Sequence, residues 1–382
     1  MPRMTARKRV TTALAHQEPD RVPFDCTFTY DAYSQLERAM GWPRDENIRA
    51  GGPALNVKPS IEFLETLGVD LYYIGLNPWK ETPPFTNGMN LYTDIWGVGY
   101  EKVENGGRLE YPNTICPLAD ATIADLDDYD WPDPKAPELI QGLAERAQKL
   151  FDETEFALVG KFSSSIFEQA AALRGMERVY MDFVQNPAFI EALFTRLTDI
   201  AIGLVETGLQ ACGKYLQLVR LAGDDMGGQR GTLFSPKMFR SMIKPHFARL
   251  YGAAKAAFHT NNPEGKVMGH TDGDVYPIIA DYIEFGLDVL NPVQPRSMDP
   301  IKLKNEFGDR LCFWGSIDEQ FTLPFGTPAD VQEEVIQRLK TLGKGGGLII
   351  GPTHLVQIDT PLENFWAMVN TTQNTTYGSL SN

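Results

Sequence analysis

The chain has 382 residues, of which 43% are hydrophobic, and its formal net charge at pH 7 is −15. This length and apolar content suffice for a large buried core. The acidic balance argues against general nucleic-acid or anionic-membrane binding, because basic patches supply the affinity for both, and it disfavours a highly anionic substrate unless arginines are concentrated locally.

The sequence contains no segment that indicates secretion or membrane insertion. The basic N-terminal region is not followed by the unbroken apolar run of a signal peptide, and no later apolar run is long enough to span a bilayer. The four cysteines are far apart and form no CxxC pair. Isolated cysteines are typical of a reducing compartment, so we expect a cytoplasmic protein with free thiols.

Short apolar runs alternate with long helical patterns, as is typical of βα units with a parallel sheet. Eight runs are predicted to be strands: 21–25, 70–74, 157–161, 215–222, 266–269, 289–291, 311–314 and 348–351. Apolar spacing and capping signals predict helices at 186–209, from Ser235-Pro236, at 327–342 and at 360–369. We predict one α/β domain, residues 1–382, with a (β/α)8 TIM-barrel fold, although a doubly wound sheet fits several of these elements.

Polar residues follow the predicted strands, and in a barrel enzyme these positions surround the mouth where catalysis occurs. The clusters are Asp25, residues 163–165, Asp224 and Asp225, His270 and Asp272, Asn291 and Gln294, Asp318, and His354. We expect substrate contacts from eight side chains: Asp25, Tyr30, Asp224, Gln229, Asn291, Gln294, Asp318 and Gln357.

Two segments carry histidines to the predicted mouth. His270 and Asp272 follow the fifth predicted strand, and His354 follows the eighth. Together they would supply a nitrogen, an oxygen and a nitrogen ligand to zinc, with a fourth position open for substrate or water. The alternative is that each histidine only forms hydrogen bonds, which is the commoner role of a single histidine at a strand end.

Asp224 and Asp225 precede a glycine-rich loop that extends to Gly231. Two adjacent acids can raise one pKa through like-charge repulsion, which suits a general acid or base, and Asp225 is our candidate for that role. The alternative is that Asp224 caps the loop and that only Asp225 or Gln229 faces substrate.

Several segments, in this order, resemble the uroporphyrinogen decarboxylase superfamily, which includes the decarboxylase and cobalamin-linked methyltransferases. They are residues 20–23, 165–168, 223–231 with Ser235-Pro236, 269–275, 286–295, 313–318, 323–328 and 354–364. The resemblance covers essentially the whole chain. It implies a (β/α)8 barrel whose active site lies at the C-terminal ends of the strands.

Two departures from the superfamily pattern guide the expected function. Decarboxylases carry an arginine-rich segment after the first strand that grips the porphyrinogen carboxylates, whereas residues 25–30 here are Asp-Cys-Thr-Phe-Thr-Tyr. The methyltransferase branch has His-x-Cys and a later Cys that complete a zinc site. Here His270 is kept, while Asp272 and His354 stand at the two Cys positions. The resemblance therefore implies the methyltransferase branch more than uroporphyrinogen decarboxylation.

Replacing two thiolates by a carboxylate and an imidazole leaves zinc a stronger Lewis acid, which suits the polarisation of an oxygen-bearing group. We therefore expect a demethylating methyltransferase that moves a methyl group from a small O- or N-methylated donor to a corrinoid protein or cobalamin. The catalytic candidates are Asp225, Glu168 and His354. A corrinoid protein and a second copy of the chain, in a homodimer, are the expected protein partners.

Two alternatives remain open at this point. One is a metal-free carboxy-lyase that acts on a small acid or a porphyrinogen through His354 and a carboxylate at the mouth. The other is a non-catalytic barrel that binds a corrinoid or another ligand.

Overall fold

The computed structural model describes residues 3–43, 57–79, 91–105, 108–110 and 112–380. Its centre is a sheet of seven parallel strands, each paired with the next along the chain. The strands are β1 (Leu71–Gly75), β2 (Ala157–Lys161), β3 (Leu218–Arg220), β4 (Lys266–His270), β5 (Val289–Asn291), β6 (Cys312–Ile317) and β7 (Leu348–Pro352). Seven of the eight predicted strands are thereby confirmed, with shifted ends at most of them.

Residues 23–25 occupy the eighth position, between β7 and β1. The N–H of Asp25 donates to the Ile350 carbonyl at 3.0 Å, and the N–H of Asp70 donates to the Phe24 carbonyl at 2.8 Å. The strand predicted over 21–25 is wrong in extent, because only Phe24 forms a bridge, with Ile350. Pro23 has no N–H, and the N–H of Phe24 donates to the Asp70 carboxylate instead of to a strand. The sheet nevertheless closes, and the predicted TIM-barrel fold is confirmed.

Helices follow the strands and cover the outside of the sheet. Their bounds are α1 (Ala6–Leu14), α2 (Tyr30–Met40), α3 (Ile61–Leu67), α4 (Leu143–Glu153), α5 (Phe167–Arg174), α6 (Met176–Gln185), α7 (Pro187–Cys212), α8 (Pro236–Met238), α9 (Lys244–Asn261), α10 (Ile279–Glu284), α11 (Pro300–Phe307), α12 (Thr322–Phe325), α13 (Pro328–Thr341) and α14 (Leu362–Asn374). A π-helical turn, Phe239–Ile243, joins α8 to α9.

Two of the four predicted helix starts are confirmed by capping bonds. The Ser235 hydroxyl accepts from the N–H of Met238 at the start of α8, and Thr327 and Asp330 form a capping box at the start of α13. Each cap is followed by a proline at the first helical position, where a missing N–H costs nothing. The last helix is longer than predicted, since α14 continues beyond Val369 to Asn374.

Short antiparallel strands lie outside the barrel. Leu91–Thr93, Gly99–Glu101 and Asn113–Ile115 form a three-stranded sheet. Val103–Asn105 pairs with Arg108–Glu110, and Gly227–Gly228 pairs with Gly231–Thr232. Throughout the described ranges, each helix is too short or too polar to cross a lipid bilayer.

Alternate residues of the strands fill the inside of the barrel, because successive side chains of a strand point to opposite faces. The deeper inward positions are apolar, and helix α1 closes the N-terminal end by packing Val10 and Leu14 against them. Members of this buried cluster include Leu71, Ala157, Val159, Leu218, Met268, Val289, Cys312 and Ile349. Two residues further along β2, β3, β4 and β5, the inward positions become polar, and that change creates the site.

A buried ion-pair network holds the seam beside residues 23–25. The Asp70 carboxylate, 1% exposed, accepts from Arg9 Nη1 at 2.5 Å and from Arg21 Nη1 at 2.7 Å. It also accepts from the N–H of Phe24 at 2.8 Å, while Asp20 accepts from Arg9 Nε at 2.7 Å. Removing one partner of such a network leaves the other charges buried and uncompensated, which costs more than the network contributes.

We therefore expect Asp70→Asn to lower the free energy of unfolding by about 3 to 5 kcal/mol, because Arg21 loses its carboxylate partner and Arg9 keeps only Asp20. The measurement is the urea midpoint followed by circular dichroism. Asp127→Asn, which removes an exposed partner of Arg196, is the control and should change stability by less than about 0.5 kcal/mol. Equal midpoints for the two variants would show that the network does not hold the seam.

Candidate active site

A cavity of about 620 Å³ opens at the C-terminal ends of the strands. Its volume lies within the range of small-molecule sites. Residues that line it come from the segment before β1, from six barrel strands and from the loop after β7: Asp25, Tyr73, Lys161, Arg220, His270, Asn291, Trp314 and His354. This is the end of a parallel barrel where catalytic groups from different strands meet.

The three predicted metal ligands converge at this cavity. One ligand atom from each of His270, Asp272 and His354 lies within 4.8 Å of the other two. His270 Nε2 is 3.6 Å from Asp272 Oδ2, and the two imidazole rings are 5.9 Å apart between centroids. Ligand atoms of a tetrahedral zinc site lie about 3.4 Å apart, given metal–ligand bonds of about 2.0 to 2.2 Å, so only a small closing movement is needed.

The ring of His270 is held in one orientation by Asn291. Nδ1 of His270 donates to Oδ1 of Asn291 at 2.6 Å. With the proton on Nδ1, the lone pair of Nε2 faces Asp272, as a metal ligand requires. Asn291 is 9% exposed, so it lines the cavity as predicted, but its bonded partner is the histidine.

The loop that carries Asp272 is joined to the loop after β3 by several hydrogen bonds. The N–H of Asp272 donates to Asp225 Oδ1 at 2.8 Å, and the N–H of Asp274 donates to the Gly228 carbonyl at 2.8 Å. Oε1 of Gln294 accepts from the N–H of Gly273. The Asp272 carboxylate is therefore placed by its backbone, before any ion contributes.

Two glycines are required by this close packing. A Cβ at Gly223 would lie 2.7 Å from Cδ2 of His270, so any larger residue would displace the imidazole. A Cβ at Gly273, whose φ is +82°, would lie 2.3 Å from the backbone of Gly227. Glycines in both loops thus allow the two loops to approach each other closely.

The residues present fit a metal ion. Oδ1 of Asp272 is buried and has no hydrogen-bond partner among the described residues, which is a costly state for a carboxylate oxygen unless a ligand satisfies it. Although burial opposes it, the hydrogen bond and charge of His270 hold the pKa of Asp272 below its ordinary value. Burial lowers the pKa of His354, which favours the neutral imidazole that binds metals.

Glu168 and Asp225 lie beside this cluster. The N–H of Asp225 donates to Glu168 Oε1 at 3.3 Å. Burial within the mouth, together with the charge of Asp225, raises the pKa of Glu168 to about 7. Burial and the charge of Asp272 also raise the pKa of Asp225. Glu168 can therefore hold or release a proton near neutral pH, as a general acid or base must.

Asp224, a predicted substrate contact, caps a helix. It is 6% exposed, and its two oxygens accept from the N–H groups of Ile166 and Glu168 at 2.8 and 2.9 Å. The sequence analysis offered a cap of its own loop as the alternative for Asp224, whereas the carboxylate binds the first N–H groups of α5. Asp225, the next residue, turns toward Asp272.

Other predicted substrate contacts lie around the mouth without facing the cavity. Asp318 is 4% exposed and accepts from the N–H groups of Gln320 and Thr322. Gln229 is exposed near Ser297 on the hairpin after β3. Tyr30 begins α2, and Gln357 lies in the turn before α14. The described lining of the cavity includes Asp25, which accepts from the Tyr73 hydroxyl at 2.6 Å, but not these four.

Sequence reasoning missed two cavity residues, Lys161 and Arg220. Lys161 ends the strand predicted over 157–161 and Arg220 lies within the strand predicted over 215–222, whereas the predicted site residues lie mostly in the loops that follow strands. Lys161 is two residues beyond Val159 and Arg220 is two beyond Leu218, both of which point into the barrel. A charged residue two positions after an inward-facing apolar residue also points into the barrel, and this signal could have located Lys161 and Arg220.

The class of the protein follows from fold and site together. A closed parallel barrel with a polar cavity and three converging ligand side chains at its C-terminal end has the architecture of a (β/α)8-barrel enzyme. The chain belongs to the uroporphyrinogen decarboxylase family, because the family model described as "Uroporphyrinogen decarboxylase (URO-D)" matches residues 91–375.

Individual relatives are distant. The chain is 21% identical over 179 residues to a uroporphyrinogen decarboxylase of Psychromonas ingrahamii (47% of this chain, 46% of that protein) and 22% identical over 199 residues to one of Coxiella burnetii (50% and 48%). It thus spans about half the length of the curated relatives it matches. A solved structure, "methyltransferase from Methanosarcina mazei", covers 97% of this chain and 99% of its own at 19% identity and a TM-score of 0.66, which shows the shared fold.

The raised pKa of Glu168 predicts a pH-dependent stability. Because the pKa rises from 4.5 in the ordinary state to about 7 in the folded protein, the proton stabilises the fold fully below pH 4.5, and this contribution is lost as the pH rises through 7. Glu168→Gln should therefore have a higher urea midpoint than the native chain at about pH 8.5, and the difference should shrink at about pH 5. Glu153→Gln, exposed at the end of α4, is the control. A difference that grows toward low pH would contradict the assignment.

Proposed function

We propose that this protein is a metal-dependent demethylating methyltransferase. It would move a methyl group from a small O- or N-methylated donor to a corrinoid protein or to cobalamin. The observation that carries the proposal is the convergence of His270, Asp272 and His354, whose ligand atoms lie within 4.8 Å of one another beside an open cavity. The family membership supports an enzyme, and the fold shared with a methyltransferase is compatible with this reaction.

These three ligands suit a zinc ion that acts as a Lewis acid on an oxygen or nitrogen atom of the substrate. A zinc ion with two imidazoles and one carboxylate would supply Lewis acidity to the heteroatom that carries the methyl group. His270 would offer Nε2, Asp272 a carboxylate oxygen, and His354 the second imidazole. Asn291 and Asp225 would keep the first two aligned, since each bonds to the ligand residue from outside the cluster.

The chain also offers a proton donor for the reaction. In the transfer, the bond between the methyl carbon and the heteroatom breaks, its electron pair stays on the heteroatom, and the reduced corrinoid supplies the pair for the new bond to carbon. The oxygen of an O-methyl donor then takes up a proton. Glu168 can give that proton near neutral pH, because burial and Asp225 raise its pKa to about 7.

A carboxy-lyase that acts on a small acid is the second candidate. It is favoured by the cations Lys161 and Arg220 in the cavity, which could bind carboxylates, and by the named activity of the curated relatives. This reaction would not need the three-residue cluster to hold an ion. Metal content therefore separates the two candidates.

The first test measures metal and methyl transfer together. Purified protein should contain about one zinc per chain by elemental analysis that also measures iron and manganese, and should form methylcobalamin from cob(I)alamin and at least one compound of a methoxy and methylamine panel. His270→Ala should lose both, whereas His259→Ala, which alters a histidine bonded to the Gly265 carbonyl, should retain both. Absence of metal, with no activation by added zinc, would favour the lyase.

The second test concerns the orientation of His270. Asn291→Ala removes the acceptor of the Nδ1 proton and frees the ring to rotate, so we expect zinc affinity to fall about 10- to 100-fold. Competition with a chromogenic chelator measures this affinity. Asn374→Ala, at the end of α14, is the matched control. If Asn291→Ala binds zinc like the native chain, this hydrogen bond does not set the geometry of the site.

A further inference from the structure

The cavity carries the opposite charge balance to the chain as a whole. The sequence has 50 acidic residues against 35 Lys and Arg. Among the described residues that line the cavity, four are cations, namely Lys58, Arg146, Lys161 and Arg220, and one is an acid, Asp25. Because acids predominate elsewhere, this local reversal indicates a site for an anion.

Two of these cations have no close counter-ion. Over the described part of the chain, neither the ammonium of Lys161 nor the guanidinium of Arg220 has a hydrogen bond or an ion pair, and Lys161 Nζ lies 5.8 Å over the ring of Tyr73. At the other end of the barrel, a cleft of about 710 Å³ is also lined by arginines, among them Arg9 and Arg21. There, both are paired with Asp70 at 2.5 and 2.7 Å. Arg9 and Arg21 are thus neutralised by an ion pair, whereas Lys161 and Arg220 are not.

Asp25 does not neutralise them. Its carboxylate accepts from the Tyr73 hydroxyl at 2.6 Å. Burial raises the pKa of Asp25 to about 6, despite that hydrogen bond. Burial and the charge of Arg220 lower the pKa of Lys161 to about 8. Arg220 also acts through space on the carboxylates of Asp272 and Glu168, without an ion pair to either. An incoming anion would favour the charged form of Lys161.

The register of the barrel places the two cations as a pair. Lys161 of β2 is the parallel partner of Arg220 of β3, so both side chains project from the same face at the same level. Arg220 is in register with Met268, two residues before His270 on β4. The Cα atom of Arg220 therefore lies about 7 Å before that of His270 along the strand direction, while its guanidinium is close enough to act on the charges of Asp272 and His354. Tyr73 and Trp314, with ring planes 29° apart and centroids 6.4 Å apart, form an aromatic wall beside them.

We infer that Lys161 and Arg220 form a carboxylate-binding subsite, and that the substrate is a small organic acid whose flat apolar body lies along Tyr73 and Trp314. This inference rests on the proposed function and deepens it, since it uses the same cavity and gives the methyl donor a carboxylate that Lys161 and Arg220 bind. Arg220 offers a planar fork that matches a carboxylate, and Lys161 adds a point charge.

A carboxylate fits these surroundings better than a phosphate does. Phosphate sites in proteins are typically built from backbone N–H groups of a glycine-rich loop or a helix N-terminus. Here the cations are side chains at the ends of two strands, and apolar aromatic rings stand next to them. A planar acid can make charge-assisted hydrogen bonds at one end and apolar contact along its length.

The test is calorimetric binding of defined probes to the full chain: benzoate, acetate, the neutral isostere benzamide, and inorganic phosphate. Benzoate should bind more tightly than acetate and at least tenfold more tightly than benzamide or phosphate. Arg220→Gln and Lys161→Met should each weaken benzoate about 10- to 100-fold, because each removes a charged hydrogen-bond donor. Arg249→Gln, an exposed arginine paired with Asp199, is the control and should bind like the native chain.

Several outcomes would overturn the inference. Equal affinity for benzoate and benzamide, tighter binding of phosphate, or equal effects of the Arg220 and Arg249 variants would each do so. So would the absence of benzoate and acetate binding at about 10 mM, where a millimolar site would be mostly occupied. If Arg220→Gln fails to fold, Lys161→Met decides.

The experiment also keeps this inference apart from the proposed function. It is repeated on protein treated with a chelator and on His270→Ala, and benzoate binding should survive in both, because Lys161 and Arg220 are not metal ligands. Zinc binding without benzoate binding would remove the carboxylate subsite and leave the metal proposal. Benzoate binding by a chain that holds no metal would do the reverse.

Discussion

Side chains at matched register positions of neighbouring parallel strands point the same way, and closing the sheet turns that shared direction into stacked layers inside a barrel. The rest of this structure depends on that constraint. Val159, Leu218 and Met268 belong to the apolar interior that α1 covers from below. The next inward positions on the same strands are Lys161, Arg220 and His270. The inward-facing residues of these strands therefore change from apolar to polar toward the C-terminal end, and the cavity begins where the packed core ends.

The barrel is irregular at residues 23–25, and buried ion pairs stabilise the fold there. Residues 23–25 form a single bridge, so the barrel closes through hydrogen bonds on each side of Phe24 and through the Asp70 carboxylate. Asp70 receives Arg9 from the N-terminal helix and Arg21 from the segment itself. The buried carboxylate of Asp70 thus joins α1 and the segment of Arg21 and Phe24 to the start of β1. Ion pairs stabilise the barrel at this position because few backbone hydrogen bonds join residues 23–25 to their neighbouring strands.

Local signals in the sequence predicted the elements, but not the contacts between them. The caps at Ser235 and Thr327 and the apolar strand runs are short-range features, and they located two of the helices and seven strands. Asp224 and Asp225 illustrate the limit. They are adjacent and chemically alike, yet one caps α5 and the other bonds the backbone of Asp272. Which acid faces which way depends on loop packing at Gly223, Gly227 and Gly273, and no local pattern encodes that packing. The meeting of His270, Asp272 and His354 could be predicted, because barrel closure alone brings their loops to one end.

The charge of the chain and the charge of the cavity have different physical consequences. A net charge of −15 repels anions at long range, but that repulsion is screened within about 8 Å at physiological ionic strength. Inside the cavity, protein atoms replace much of the water, so the charges of Lys161 and Arg220 act more strongly on a molecule that has entered. The acid Asp272 stands between the imidazoles of His270 and His354. Lys161 and Arg220 line one part of the cavity, and the two imidazoles line another. A substrate with one anionic end is therefore favoured with that end against Lys161 and Arg220, because the opposite orientation would leave both cations without an anionic partner.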